Sequence, residues 1–129
     1  MLVEVGRADV DLARASTGST PLKVAAQEGR LEIVRYLVQT GGADVNKPAH
    51  HGGTPLFGAA QKGHLDVVKF LVRIGKADVN SKNKQGATPL HAAMDDGHTD
   101  VVKFLIRNGA QDGKVTDFTT GKTANVDDL

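Results

Sequence analysis

The chain has 129 residues, of which 40% are hydrophobic and 24% charged, a composition typical of a globular domain rather than of a disordered chain. Its 16 Lys and Arg against 15 Asp and Glu leave a formal charge of +1, too small to indicate binding to nucleic acid or to an anionic membrane. Zero cysteines exclude disulfides, thiolate catalysis and cysteine zinc sites.

The N-terminal residues Met1–Val3 run into Glu4 and Arg7, which interrupt the apolar core that a secretory signal needs. No later apolar run approaches the roughly 18 residues that cross a bilayer. We therefore expect no membrane attachment and a cytoplasmic protein, or more broadly an intracellular one, with the nucleus included.

Thr-Pro-Leu occurs three times, at residues 20–22, 54–56 and 88–90, with a spacing of 34 residues. The same set of an alanine, a glycine and a β-branched pair follows each copy at fixed offsets: Ala25, Gly29 and Ile33-Val34; Ala59, Gly63 and Val67-Val68; Ala93, Gly97 and Val101-Val102. A period of this length predicts helical units that must stack on one another to bury their apolar faces.

The threonine-proline pair predicts the start of a first helix in each copy, because the hydroxyl accepts a hydrogen bond from an unpaired amide and proline has no amide to leave unpaired. Leu22, Ala25 and Ala26 then form an inward stripe at i, i+3 and i+4, and the later copies repeat it with Met94 as a mild exception. We expect the glycine that follows to end this helix in the left-handed conformation.

A second helix is predicted to run back in each copy. We expect its buried stripes to be Leu31-Val34-Leu37-Val38, Leu65-Val68-Leu71-Val72 and Thr99-Val102-Leu105-Ile106, with Gly41, Gly75 and Gly109 ending the helices. Charged residues three apart are expected to form weak ion pairs on its solvated face: Glu32 with Arg35, Asp66 with Lys69, and Asp100 with Lys103.

The recurring residues Thr88-Pro89-Leu90-His91-Ala92-Ala93, Gly97-His98 and Ala77-Asp78-Val79-Asn80 closely resemble the ankyrin repeat, over about residues 1 to 110. The resemblance implies an all-α fold, an ankyrin repeat solenoid of stacked helix pairs with projecting hairpin loops. Gly42 and Lys76 make the connectors one residue longer than the common form, and we expect the extra residue to extend the turn after the second helix.

A single ankyrin repeat domain over 1–129 then divides into a partial N-terminal repeat (1–15), three repeats (16–49, 50–83 and 84–110) and a degenerate C-terminal half repeat or tail (111–129). Leu2–Val10 aligns with Leu37–Val45, so we expect a fragment of a longer ankyrin protein, with a chain whose ends a partner covers as the alternative. We expect a monomer, or weak self-association because incomplete terminal repeats expose apolar edges.

Residues that differ between copies are the candidates for function. In ankyrin proteins partner contacts concentrate on hairpin tips and the adjoining first-helix face, so the resemblance implies a non-catalytic protein–protein interaction module. Phe57 either anchors a partner or fills space in the stack. The partner-binding candidates are Ser16, Thr17, Ser19, Lys23, Gln27, His50, His51, Phe57, Gln61, Lys84, Gln85, His91 and Asp95.

Patterns that could carry chemistry are weak. Gly121-Lys122-Thr123 lacks the earlier glycine of a phosphate-binding loop, since Thr116 stands there. His50 and His51 are adjacent on a loop, where their side chains diverge, and no third ligand lies at metal-binding spacing. No serine, histidine and acid are placed to form a catalytic set. We expect no enzyme, no cofactor and no metal.

Two histidines, His64 and His98, follow the turn glycine and are expected to make local hydrogen bonds. The resemblance implies that His91 helps to tie adjacent repeats together. It also implies an alternative function, in which the hairpin residues Asn46 and Asn80 are substrates of an asparagine hydroxylase. A further alternative is a purely structural segment of a longer ankyrin protein.

Overall fold

The computed structural model describes residues 10–110, which contain three helix pairs and no strand. The partial repeat before Val10, the tail at 111–129 and the Gly121-Lys122-Thr123 motif lie outside the described residues. The helices are α1 (Pro21–Gln27), α2 (Leu31–Arg35, continued by a π-helical turn at Tyr36–Thr40), α3 (Pro55–Lys62), α4 (Leu65–Arg73), α5 (Pro89–Asp95) and α6 (Thr99–Arg107).

Each first helix begins where the threonine-proline pair predicts it. The hydroxyls of Thr20, Thr54 and Thr88 each accept a hydrogen bond of 3.2 Å from the amide three residues later. These caps satisfy donors that the first turn leaves unpaired. The glycine after each first helix has a positive φ, which confirms the predicted left-handed turn: 74° at Gly29, 77° at Gly63 and 73° at Gly97.

The helix pairs share one continuous core. α3 packs between α1 and α5, and α4 contacts α2 and α6. Leu56 is fully buried at the centre of this stack, together with the alanines of the first-helix stripes. Met94 departs from the stripe, because its side chain is 41% exposed where the equivalent Ala60 is fully buried. The stacked architecture that the resemblance implies is confirmed for residues 10–110.

The buried stripes of α4 and α6 are broader than predicted, but in α2 the equivalent Ile33 is 46% exposed. The expected Val68 and Leu71 are fully buried, but so is Val67, and Phe70 on the same helix is 9% exposed. α6 repeats this pattern with Val101 and Phe104, but Thr99, which was predicted to be buried, is exposed in the first turn of the helix. The reason is that α4 and α6 each pack against their own first helix and against a preceding second helix, whereas no second helix precedes α2 within the described residues.

The inserted residue of the 34-residue period sits at the end of the second helix. Gly42 has a φ of 70° and Lys76 a φ of 59°, so these inserted residues, and not Gly41 or Gly75, take the left-handed conformation. In both copies the next amide reaches a carbonyl six residues back, as Ala77 N does to Leu71 O at 2.9 Å. The expectation that the extra residue extends this turn is confirmed.

The predicted ion pairs on the second helices are not present within residues 10–110. The guanidinium of Arg35 instead lies 5.9 Å from the ring centre of Phe70 in the next repeat, and Arg73 lies 5.1 Å from that of Phe104. The acid Asp66 accepts a hydrogen bond of 2.7 Å from the Val67 amide in its own first turn, and α6 repeats this bond. Of the residues in the predicted pairs, Arg35 thus contacts the next repeat, and Asp66 and Asp100 bind main-chain amides of their own helices.

Candidate functional site

The first, second and third hairpin tips, at residues 14–19, 49–53 and 83–87, are joined to one another by main-chain hydrogen bonds. His50 N donates to Thr17 O at 2.9 Å, and Lys84 N donates to His51 O at 2.9 Å. The candidate residues at successive tips are therefore held in one row along the stack, at a spacing set by the backbone.

Each tip is also closed by bonds of its own. In the third hairpin Asn83 N donates to Ala87 O at 2.8 Å, and the Asn83 side-chain oxygen accepts from the amides of Gln85 and Ala87 at 2.9 Å. The second hairpin has the same main-chain closure, from Ala49 N to Gly53 O. The loops are therefore turns with satisfied backbone groups, which limits the conformations that their side chains sample.

The candidate modification residues lie at the bases of the hairpins. Asn46 is exposed, but its Oδ1 accepts a hydrogen bond of 2.8 Å from Asp78 N of the next repeat. Asp11 makes the equivalent bond one repeat earlier, accepting from Asp44 N at 3.0 Å. Asn80 donates from Nδ2 to Gly109 O at 3.1 Å. The asparagine side chains thus bind neighbouring main chain, and Asn46 links adjacent repeats.

The three equivalent positions after Thr-Pro-Leu differ in what they expose. Lys23 is 5% exposed and Phe57 is 8% exposed, whereas His91 is half-buried. Of the two interpretations of Phe57, its burial supports the one in which the ring fills space. His91 Nδ1 accepts from the Thr88 amide at 3.1 Å, so this nitrogen caps its own helix.

His64 and His98 bind further away than predicted. Their Nε2 atoms lie 3.0 Å from Gln27 O and Gln61 O, the carbonyls at the ends of the preceding repeats' first helices. These bonds satisfy acceptors that a helix C-terminus leaves unpaired, and they join adjacent repeats. The prediction of purely local bonding was wrong, because the ring nitrogen crosses to the preceding helix pair.

A hollow of about 430 Å³ lies beside α1 and brings five candidates together: Thr17, Ser19, Lys23, Gln27 and His51. It is open between the first two hairpin tips and the helix face. Lys23 Nζ donates to Gln27 Oε1 at 3.1 Å. Burial lowers the pKa of the Lys23 ammonium group from its ordinary value of 10.5, because the charged form loses hydration.

The remaining candidates are spread along the row and do not meet in one place. Gln61 is half-buried next to the His98 bond, on the face of α3. The exposed members are Ser16, His50, Lys84, Gln85 and Asp95. Residues 10–110 therefore present one concentrated site, the hollow beside α1, and a longer exposed surface.

Sequence reasoning missed four residues that line this hollow, namely Arg14, Val24, Glu28 and Lys62. Glu28, just after α1, and Lys62, at the end of α3, occupy equivalent positions of two repeats. Because the residue type differs between the repeats, this position could have been included among the candidates. Arg14 carried no such signal, because the first hairpin is one residue longer than the second and its alignment is shifted.

Other site chemistries find no support in the part of the chain that the structure describes. Residues 10–110 contain no group of three His, Asp, Glu or Cys side chains close enough to hold a metal ion. None of the helices in the same range combines the length and apolar character needed to cross a membrane.

The chain matches the family model for ankyrin repeats (3 copies) over residues 1–83 and again over residues 43–117. No curated protein matches it closely. Ankyrin repeats are generally protein–protein interaction modules and are typically non-enzymatic. Because the matches together extend over residues 1–117 and the helix pairs stack in the same register, the chain belongs to the ankyrin repeat family.

Proposed function

We propose that this chain is a non-catalytic module that binds a partner protein through its hairpin tips and the adjoining concave face of its first helices. The supporting observation is the row of tips joined by the His50–Thr17 and Lys84–His51 main-chain bonds. Side chains that differ between repeats project from this fixed row. Since the row is formed before binding, little conformational entropy is lost when a partner docks.

The charges on this face differ between its two ends. Cations line the hollow at its N-terminal end, contributed by Arg14, Lys23 and Lys62. In the third repeat the C-terminal end of the first helix carries Asp95 and Asp96, and both side chains are exposed. A partner with acidic and basic segments would be attracted in one orientation and repelled in the other.

A capture experiment tests the proposal. The variant His51→Ala/Gln61→Ala/Lys84→Ala alters the proposed face, and Glu32→Ala/Lys69→Ala/Lys103→Ala alters three charged positions on the second helices as a matched control. We expect proteins captured by the unaltered chain to be lost from the first variant and kept by the second, with both variants folded by circular dichroism. Equal capture by both variants would place the binding surface elsewhere and contradict the proposal.

Hydroxylation of Asn46 and Asn80 is not favoured by their contacts. The bond from Asp78 N to Asn46 Oδ1 must open before an enzyme can take this side chain into an active site. Mass spectrometry of the protein from its own cells tests this alternative, and an added oxygen on either hairpin peptide would support it. A purely structural role would be supported if both capture variants, and the unaltered chain, retained no protein at all.

A cytoplasmic location is part of the proposal. The absence of cysteine from the chain is compatible with a reducing compartment. Microscopy of the tagged protein in its own cells would show cytoplasmic signal if the proposal is correct.

A further inference from the structure

Lys23 is a buried cation with few partners. The residue is 5% exposed, and its ammonium group has three N–H donors. Within residues 10–110 Nζ makes one hydrogen bond, to Gln27 Oε1 at 3.1 Å, and no ion pair. A buried charge is normally paired or fully hydrogen-bonded, because removing it from water is costly. The remaining N–H donors of the Lys23 ammonium group therefore have no protein acceptor within the described range, and the side chain lines the open hollow.

The hollow around Lys23 is cationic. Arg14 and Lys62 also line it, and neither forms an ion pair within the described range. His51 lines it from the second hairpin. The single acid of the lining, Glu28, is engaged by Arg30 at 2.9 Å. Positive charges collected around an open space repel one another, and an anion placed there would be attracted by all of them.

The equivalent positions in the other repeats show that this feature is specific to the first. Phe57 occupies the position of Lys23 in α3 and packs as an apolar ring, and His91 occupies it in α5 and caps the helix. The stack therefore tolerates an uncharged side chain here, so the lysine is not required for packing.

We propose that the hollow beside α1 receives an aspartate or glutamate side chain of the partner protein, with the carboxylate accepting a hydrogen bond from Lys23 Nζ and lying near Arg14 and Lys62. The inference rests on the proposed function and names the chemistry of the partner at one point of the face. The lowered pKa of Lys23, caused by its burial, agrees with a cation that still lacks an anionic neighbour.

A partner protein fits this face better than a nucleic acid strand. The formal charge of the chain is only +1. Asp95 and Asp96 lie at the end of the third first helix, where a continuous phosphate backbone along the face would be repelled. An acidic residue in a peptide of mixed charge meets the hollow without meeting that repulsion.

Selection from a displayed library of random peptides tests the inference with a defined probe. The unaltered chain, Lys23→Met and the matched control Lys69→Met, which makes the same change on α4 and outside the proposed face, are immobilised and selected in parallel. Methionine is close to lysine in length and removes the desolvated charge, so we expect this variant to fold. We expect an acidic residue at a fixed position in peptides selected by the unaltered chain and by Lys69→Met, and no such position with Lys23→Met.

Fluorescence polarisation then measures one selected peptide and its Glu→Gln or Asp→Asn version. We expect the unaltered chain to bind the amide version about tenfold more weakly than the acidic peptide, because a charge-assisted hydrogen bond is lost. We expect Lys23→Met to bind the two versions with equal affinity. An acidic preference that persists in Lys23→Met, or no acidic preference in the unaltered chain, overturns the inference. The inference is also overturned if a 12-nucleotide DNA strand displaces the bound peptide with the same efficiency as a competing acidic peptide.

The two proposals fail in different ways. The selected peptides could lack an acidic position and still require His51 and Lys84 for binding. This result would support the proposed protein-binding face and contradict only the inference of a carboxylate at Lys23. Selection of no peptide by any of the three proteins counts against the inference, and the capture experiment then decides the proposed function separately.

Discussion

The inserted residue of the 34-residue period allows a matched test of what the left-handed backbone conformation costs in stability. Lys76 has a φ of 59°, and the equivalent Gly42 has a φ of 70°. The left-handed conformation costs a residue with a Cβ about 1–2 kcal/mol, whereas glycine adopts it freely but loses about 0.5–1 kcal/mol more chain entropy on folding. Lys76→Gly should therefore raise the free energy of unfolding by about 0.5–1 kcal/mol.

The structure isolates this backbone effect. Lys76 is exposed and makes no hydrogen bond or ion pair within residues 10–110, so its side chain loses nothing. A Cβ built at Gly42 meets no atom within 4 Å, so the reverse change, Gly42→Lys, should lower stability by a similar amount. Urea unfolding followed by circular dichroism measures both variants. A Lys76→Gly variant no more stable than the unaltered chain, or a neutral Gly42→Lys, would refute the reasoning.

Three further changes follow from packing and charge. Leu56→Ala removes a fully buried side chain at the centre of the stack and should cost about 2–5 kcal/mol in urea unfolding; a cost below 1 kcal/mol would argue against a shared core. Gly63→Ala places a Cβ 2.5 Å from the His98 ring and should therefore lower the melting temperature more than Gly97→Ala, whose Cβ meets open space; equal losses would show that the histidine bond contributes nothing. Burial lowers the folded-state pKa of Lys23, so between that pKa and 10.5 the folded chain binds fewer protons than the unfolded chain. The free-energy cost of burying the charged ammonium group is therefore complete below the folded-state pKa and falls as the pH rises from there to 10.5. The stability advantage of Lys23→Met should accordingly shrink between neutral pH and pH 10.5, and an advantage that grows instead would contradict the assignment.

The features that the sequence predicted well depend on residues close together in the chain. Thr54 and Pro55 determine the start of a helix within one turn, and the glycine after that helix determines its end through φ alone. The period of 34 residues then placed each helix pair against the next, because identical units bury identical faces. The helix starts and turns therefore followed from spacing and local chemistry, and the ankyrin architecture with its projecting hairpins followed from the resemblance of the repeated motifs.

The contacts between repeats were harder to predict. The acceptor of His98 is the Gln61 carbonyl, and a main-chain atom leaves no mark on residue type. The stacking of Arg35 on Phe70 had only half a signal, since an aromatic residue recurs with the period at Tyr36, Phe70 and Phe104, but Lys69 and Lys103 stand at the positions equivalent to Arg35. The burial of Lys23 was missed because lysine is usually exposed, although Phe57 at the equivalent position indicated a core site.

Hydrogen–deuterium exchange of the chain with and without its selected peptide tests the central claim most directly, namely that a row of preformed tips and first helices binds the partner. The account predicts new protection at residues 14–19 and 49–53 and along α1 and α3, with α4 and α6 unchanged. Protection confined to α4 and α6 would show that the partner binds the opposite face of the stack and would contradict the account.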